Sequence, residues 1–269
     1  VSGLSVQIDT AGYRGRTVLS ALSLPHIPSG SLVAVVGPNA AGKSTLLKAL
    51  AGLISARGKV MLDGEDLTRL PLGARVRDVA YLPQSLPQST PLVAYEAVLS
   101  AVRATRPDLN KRAAEDAVEA VFTELGIRDL ALRRLAEMSG GQRQMVGLAQ
   151  IMARAPRLLL LDEPTSALDL HWQMDVIESV RAATRRQGAI ALIAVHDINL
   201  AIRSCDLVVV VAEGRVIAAG APGEVLNADI LRRVYGVEAR VERCSRGTPF
   251  IVIDGVAPRA VQGDLHAPV

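Results

Sequence analysis

Leu32-Val33-Ala34-Val35-Val36-Gly37-Pro38-Asn39-Ala40-Ala41-Gly42-Lys43-Ser44 is the stretch that decides how this chain is read. Its first five residues are all apolar, which suits a strand buried on both faces, as in a parallel sheet. The next eight fit G-x-x-x-x-G-K-[ST]. They lie between that strand and a helix expected over 43–53, the context this motif requires. The glycines let the backbone curl so that successive N–H groups point inward at phosphate oxygens. The helix N-terminus adds a partial positive charge. Lys43 is expected to reach the β- and γ-phosphates and the Ser44 hydroxyl to ligate Mg²⁺. Only 4 of the 30 basic residues are Lys, so a Lys at this position is informative.

The second half of such a site is an apolar strand that ends in acids. Leu158-Leu159-Leu160-Leu161-Asp162-Glu163 supplies it. The leucines bury the strand and deliver Asp162 beside the phosphate loop, where it is expected to hold Mg²⁺ through water. Glu163 follows one residue later, so in an extended chain it points away from Asp162. It is then placed to face the γ-phosphate and polarise a water for in-line attack.

Working outward, short strands are expected at 4–8 and 18–24 around a turn at 12–15, at 59–62 before Asp63-Gly64, and at 79–82. From 86 to 155 the pattern turns helical. Pro87 and Pro91 punctuate a loop, and helices are expected at 93–103, 110–125 and 142–153. In the last, Met145, Leu148, Ala149 and Met152 keep one face apolar. Strands return at 158–161, 189–195 and 207–211 with helices between, and Glu213-Gly214 turns into a strand at 215–218. Alternating strands and helices imply an α/β fold, with a parallel sheet and helices on both faces. The expected organisation is one domain over 1–269, with a helical subdomain at 86–155, a C-terminal extension of the core at 212–255 and a frayed tail at 256–269.

Composition excludes several classes. The chain has 269 residues, 49% hydrophobic and 21% charged, ordinary globular values that rule out wholesale disorder. Aromatics are 3%, so the core must be aliphatic. The longest clean apolar runs reach 7 residues, whereas a membrane-spanning helix needs about 20. The formal charge of +3 carries no block of like charges, so no nucleic-acid partner is expected. Cys205 and Cys244 lack metal spacing and are expected to be buried free thiols. Residues 1–9 lack a basic stretch followed by an apolar core, so no signal peptide is expected there and the expected compartment is the cytosol.

Met138-Ser139-Gly140-Gly141-Gln142-Arg143-Gln144 adds a second anion site, a Ser and two glycines before a helix. With the phosphate loop and the acidic strand end, it makes the chain resemble the ATP-binding subunits of ABC transporters. The motif is similar to that family's signature, leucine-serine-glycine-glycine-glutamine, with Met138 in place of leucine. The resemblance covers about 4–253. It implies a P-loop ABC ATPase core with a mostly parallel sheet, an N-terminal antiparallel β part and an inserted α-helical subdomain. It also implies a head-to-tail dimer with a second copy, in which Ser139, Gly140, Gly141 and Gln142 reach ATP held by the other subunit.

The resemblance assigns further roles. Tyr13 lies where an aromatic stacks on adenine. Gln84, in Tyr81-Leu82-Pro83-Gln84, matches a glutamine that senses the γ-phosphate and Mg²⁺. Asp169, in Ser166-Ala167-Leu168-Asp169, matches a loop that crosses the dimer interface. His196 matches the switch histidine that contacts the γ-phosphate. The expected catalytic set is Glu163, His196 and Gln84. The expected ATP set is Tyr13, Gly37, Pro38, Asn39, Ala40, Ala41, Gly42, Lys43, Ser44, Thr45, Ser139, Gly140, Gly141, Gln142 and Asp169. The expected Mg²⁺ set is Ser44, Gln84 and Asp162. Two positions depart from the pattern. Ala40 stands where glycine is common and costs on the order of 1 kcal/mol if its φ is positive. Met138 is a change of similar volume.

The implied function is the ATP-hydrolysing motor of a bacterial importer, on the cytoplasmic face of the inner membrane. Its implied partners are permease subunits and a periplasmic or lipid-anchored binding protein that acts on the permease. The docking surface is expected near 85–96, where Leu86, Leu92 and Val93 come together. Several segments resemble importers of iron chelates, haem and vitamin B12: Tyr81-Leu82-Pro83-Gln84, Tyr95-Glu96-Ala97-Val98-Leu99, His196-Asp197-Ile198-Asn199-Leu200-Ala201, Gly223-Glu224-Val225-Leu226 and Val234-Tyr235-Gly236-Val237. The expected cargo is an iron complex, a ferric siderophore or haem, with cobalamin next. The alternatives are an importer motor for another cargo and a soluble ABC ATPase in cofactor assembly.

Overall fold

A computed structural model describes residues 2–86 and 91–257. Pro87 and the tail beyond 257 therefore lie outside the described residues. In chain order the strands are β1 (Gly3–Tyr13), β2 (Arg16–Ser23), β3 (Ile27–Pro28), β4 (Leu32–Val36), β5 (Ser55–Leu62), β6 (Glu65–Asp66), β7 (Val79–Leu82), β8 (Leu158–Asp162), β9 (Ile190–Ala194), β10 (Leu207–Ala212), β11 (Arg215–Gly220), β12 (Val237–Arg243) and β13 (Pro249–Val256). The helices are α1 (Lys43–Ala51), α2 (Leu72–Asp78), α3 (Ala94–Thr105), α4 (Lys111–Glu124), α5 (Gly140–Met152), α6 (Leu170–Gln187), α7 (Ile198–Ser204), α8 (Pro222–Val225) and α9 (Ala228–Tyr235).

The central sheet has strand order β11-β10-β4-β9-β8-β7 and is parallel except for β11. Strands β4, β8 and β9 are buried at every residue, which is why they read as unbroken apolar runs. Side chains alternate between the two faces of the sheet. Val33, Val35, Leu158, Leu160, Leu192 and Val209 pack with Leu46, Leu47 and Leu50 of α1. Ala34, Val36, Leu159, Leu161, Ile193 and Val210 pack on the opposite side with Met145, Leu148, Ile177, Val180 and Ala201 of α5, α6 and α7. Each fully buried leucine contributes roughly 2 kcal/mol of hydrophobic stabilisation.

Helices lie on both faces, as expected, but unequally. One face carries α5, α6 and α7. The other is covered by α1 together with an antiparallel sheet of order β2-β1-β5-β6, with β3 paired to β1. The alternation explains this second layer: Leu4, Val6, Ile8 and Ala11 of β1 turn inward into the same core as α1. Both β1 and β5 run longer than the sequence pattern suggests. Residues 55–59 of β5 are exposed, so no apolar alternation marks them. The β1–β2 turn is Arg14-Gly15, because Tyr13 pairs with Arg16.

Helices α3, α4 and α5 pack on one another, with Phe122 buried and its ring 6.2 Å from that of Tyr95. Their starts follow capping chemistry. Asn110 accepts from Ala113 N–H at 2.9 Å. Ser139 and Gln142 form a reciprocal capping box at the start of α5. Elements beyond those expected include α2, α8, α9 and the β12–β13 hairpin, and Val256 ends β13 rather than opening a tail. Cys205 is buried as expected, and burial pushes its thiol up to about 12. Cys244 is exposed, contrary to expectation, because it sits in the turn that closes the hairpin. Among the described residues no helix is long and apolar enough to cross a membrane.

Candidate functional site

Parallel strands deliver their C-terminal ends to one edge of a sheet, and open α/β sheets place ligand sites there. The phosphate loop follows β4, Gln84 follows β7, Asp162 ends β8 with Glu163 just after it, and His196 follows β9. Tyr13 arrives separately, from the end of β1. Together Tyr13, Asn39, Ala40, Ala41, Gly42, Lys43, Ser44, Thr45, Gln84, Glu163 and His196 line one cleft of about 540 Å³. That volume lies within the range of small-molecule sites.

The loop is built as a cradle. Gly37 has φ 151°, and a Cβ added there would lie 2.0 Å from the Val211 carbonyl oxygen. Gly42 has φ 110°, so both positions exclude an ordinary side chain. Ala40 has φ 62°. The condition set for this departure is therefore met, and the methyl group costs on the order of 1 kcal/mol. Lys43 is buried, and its Nζ donates to the carbonyls of Gly37 at 2.8 Å and Pro38 at 3.0 Å. Burial lowers the Lys43 pKa, opposed by the negative charges of Glu163 and Asp162. A cation held at the loop mouth above inward-facing N–H groups fits a polyphosphate.

The two acids at the end of β8 serve different neighbours. Asp162 is 3% exposed. Its Oδ1 accepts from Ser44 Oγ at 2.8 Å and its Oδ2 from the Tyr81 hydroxyl at 2.9 Å. Glu163 accepts from Gln84 Nε2 at 2.6 Å on Oε2, and His196 Nε2–H donates to Oε1. Strand alternation is not what separates them, contrary to the sequence reading. Glu163 has φ 50°, so the chain leaves extended geometry at this residue. Its N–H still bonds the Ala194 carbonyl at 3.2 Å, which anchors the bend to β9. A carboxylate gripped at both oxygens beside a phosphate cradle can orient a water and accept its proton. The Ser44 hydroxyl, whose proton goes to Asp162, keeps lone pairs for a hard cation. This oxygen donor set suits Mg²⁺.

The signature residues lie elsewhere. Ser139, Gly140, Gly141, Gln142 and Asp169 line a separate cavity of about 400 Å³ with Leu168 and Trp172. It shares no lining residue with the cleft. Gly141 packs so closely on the Asp169 loop that an added Cβ would lie 3.0 Å from the Ala167 carbonyl oxygen. Asp169 caps α6, accepting from Trp172 N–H at 3.1 Å.

Sequence reasoning missed three residues here. Arg16 lines the cleft beside Tyr13, and nothing in a lone hairpin arginine signals that. Tyr81 reaches Asp162 from the neighbouring strand. Burial raises its pKa well above the usual tyrosine value, assisted by the Asp162 charge and hydrogen bond. Tyr235 of α9 is pushed up to about 12 by burial, against a hydrogen bond from the Gly37 backbone that lowers it.

Residues 20–166 match the model of the ABC transporter family. The chain is 40% identical over 245 residues to a hemin import ATP-binding protein of Bordetella pertussis, covering 86% of this chain and 91% of that protein. It is 34% identical over 247 residues to the ferric enterobactin transport ATP-binding protein of Escherichia coli, covering 90% and 91% respectively. A solved ATP-binding subunit of an ABC transporter superposes with a TM-score of 0.72 at 28% identity, covering 86% of this chain and 92% of that one.

Proposed function

The chain belongs to the ABC transporter family and is an ATP-binding, ATP-hydrolysing member of it, and from that premise we propose that it powers import of an iron complex. The observation that carries the catalytic part is the grip of Gln84 and His196 on Glu163, in one cleft with the phosphate loop. In this reading ATP lies with its adenine on Tyr13 and its phosphates over 37–45. Ser44, Gln84 and Asp162 would hold Mg²⁺, which would neutralise charge on the phosphates. Glu163 orients the attacking water and takes its proton, while His196 contacts the γ-phosphate.

A second copy completes the site. The cavity at Ser139 holds neutral donors at a helix N-terminus but lies apart from its own chain's cleft. A head-to-tail dimer brings each cavity, with Asp169, over the partner's ATP. Closing and reopening then drives permease subunits in the membrane, with a periplasmic or lipid-anchored binding protein delivering cargo to them. The chain sits at the cytoplasmic face of the inner membrane and is held there by the permease. No nucleic acid takes part.

The helical subdomain, 86–155, carries the docking surface, and the core extension, 212–255, supports the α7 side. Within the docking segment Leu92 is exposed. Leu86 packs inward, since a Cβ on Gly147 would lie 2.5 Å from its Cδ1. Leu92 is thus the better contact, and half-buried Leu86 packs against the core. The cargo follows from the relatives, which import hemin and ferric enterobactin. Deleting this chain should abolish cellular uptake of labelled haem or of a ferric siderophore. Unchanged uptake of haem, iron chelates and cobalamin alike would reject the cargo while leaving the ATPase reading intact. Leu92→Glu should abolish transport and preserve basal ATP hydrolysis.

A further inference from the structure

Asp162 has two carboxylate oxygens, and different elements hold them. Ser44, on the first turn of α1, donates to Oδ1 at 2.8 Å. Tyr81, on β7, donates to Oδ2 at 2.9 Å. The second contact follows from strand register. β7 pairs in parallel with β8 so that Tyr81 lies opposite Leu160. Asp162 is two residues beyond Leu160 and on the same face, a diagonal neighbour within reach of an aromatic side chain. The tyrosine ring packs at the margin of the core on the α1 side, which sets the direction of its hydroxyl.

An aspartate carboxylate turns easily about its last side-chain bond, because that torsion is broad. One hydroxyl partner leaves the rotation loose, whereas two donors on opposite oxygens hold the plane. With the plane held, Ser44 Oγ gives its proton to Oδ1 and presents its lone pairs to the cleft.

We infer that Tyr81 is a positioning residue for the divalent cation that accompanies ATP, holding Asp162 so that the Ser44 hydroxyl faces the metal. This rests on the assignment of Ser44 and Asp162 to the metal proposed above. Partners that orient a metal's ligands commonly set its affinity by about tenfold to a hundredfold, and Tyr81, which acts through Asp162, belongs at the low end of that range.

The test uses Mn²⁺ as probe, titrated into the purified protein held in excess over a non-hydrolysable ATP analogue, so that the nucleotide is protein-bound, while free Mn²⁺ is followed by electron paramagnetic resonance. Tyr81→Phe keeps the ring and removes only the hydroxyl. Its Mn²⁺ affinity should fall about tenfold, while ATP binding measured without metal stays unchanged. Asp162→Asn, run in parallel, tests the underlying assignment. If Asp162→Asn weakens Mn²⁺ binding and Tyr81→Phe does not, the positioning role is overturned and the metal site stands. If neither does, the metal assignment itself fails. Equal losses of metal-free ATP binding and Mn²⁺ binding in Tyr81→Phe would mark a merely structural tyrosine and overturn the inference. Should Tyr81→Phe fail to fold, site-specific replacement of Tyr81 alone by 3-fluorotyrosine keeps the hydroxyl, leaves Tyr13 and Tyr235 untouched and makes that hydroxyl a stronger donor. Mn²⁺ affinity should then shift, and an unchanged affinity would overturn the inference.

Discussion

The phosphate cleft and the cavity at Ser139 are both built where glycines mark the N-terminus of a helix, and they differ in almost everything else. The cleft is lined by Lys43, Arg16 and His196 together with the acid Glu163. The cavity is lined by the apolar residues Ile127, Leu130, Met145, Leu168 and Trp172, and among the described residues its ionisable lining is Asp129 and Asp169. In the cleft the helix start carries no side-chain cap, which leaves its N–H groups for a ligand. In the cavity Ser139 and Gln142 already satisfy that role for each other. One region can therefore neutralise a polyphosphate by itself. The other offers neutral donors and can only close on a phosphate held elsewhere. Cleft variants should act within one chain, and cavity variants should act only between chains.

The largest test of that contrast is Glu163→Gln. Turnover should fall about a thousandfold, because the amide cannot accept a proton, and MgATP should trap a closed dimer. Turnover within a few-fold of wild type would remove Glu163 from the reaction. Ser139→Arg should come next, lowering turnover about a hundredfold, the scale of losing a donor aimed at developing charge. ATP affinity of the isolated chain should be unchanged, as measured by nucleotide titration. Mixing it with a Lys43 variant should restore at most one of the two composite sites. Full activity of Ser139→Arg would sink the head-to-tail arrangement.

Lys43→Ala removes charge-assisted hydrogen bonds worth about 1.5–3 kcal/mol. The ATP dissociation constant should rise roughly tenfold to a hundredfold, whichever partner chain is present. The smallest effects concern stability and should have opposite signs. Ala40→Gly relieves a left-handed alanine and should raise the melting temperature by about 2 °C. Ser139→Ala removes the α5 cap and should cost about 1 kcal/mol, read by denaturant unfolding. If Ala40→Gly lowers stability, the φ of 62° is not a strain on the loop.

Much of this molecule is local and could be read from its residues in order. An all-apolar run announces a strand buried on both faces, and G-x-x-x-x-G-K-S at its end announces the turn and helix that follow, because each needs only neighbours in sequence. Ser139 and Gln142 announce a capped helix for the same reason. Tertiary structure decided what depends on register and layering. Tyr81 meets Asp162 only because β7 pairs with β8 one way and not one residue over. Glu163 turns out of the strand through a positive φ, which no residue type at that position signals. The exposed start of β5 carries no apolar alternation, so pairing with β1 defines it. Strand β12 does alternate, as Val237-Glu238-Ala239-Arg240-Val241-Glu242, but its partner β13 is fixed only by the pairing. The strand layer that joins α1 on one sheet face, and the arrival of Tyr13 at the cleft, arise from packing between segments far apart in the chain. Long-range contacts of that kind leave no periodic mark in any one segment.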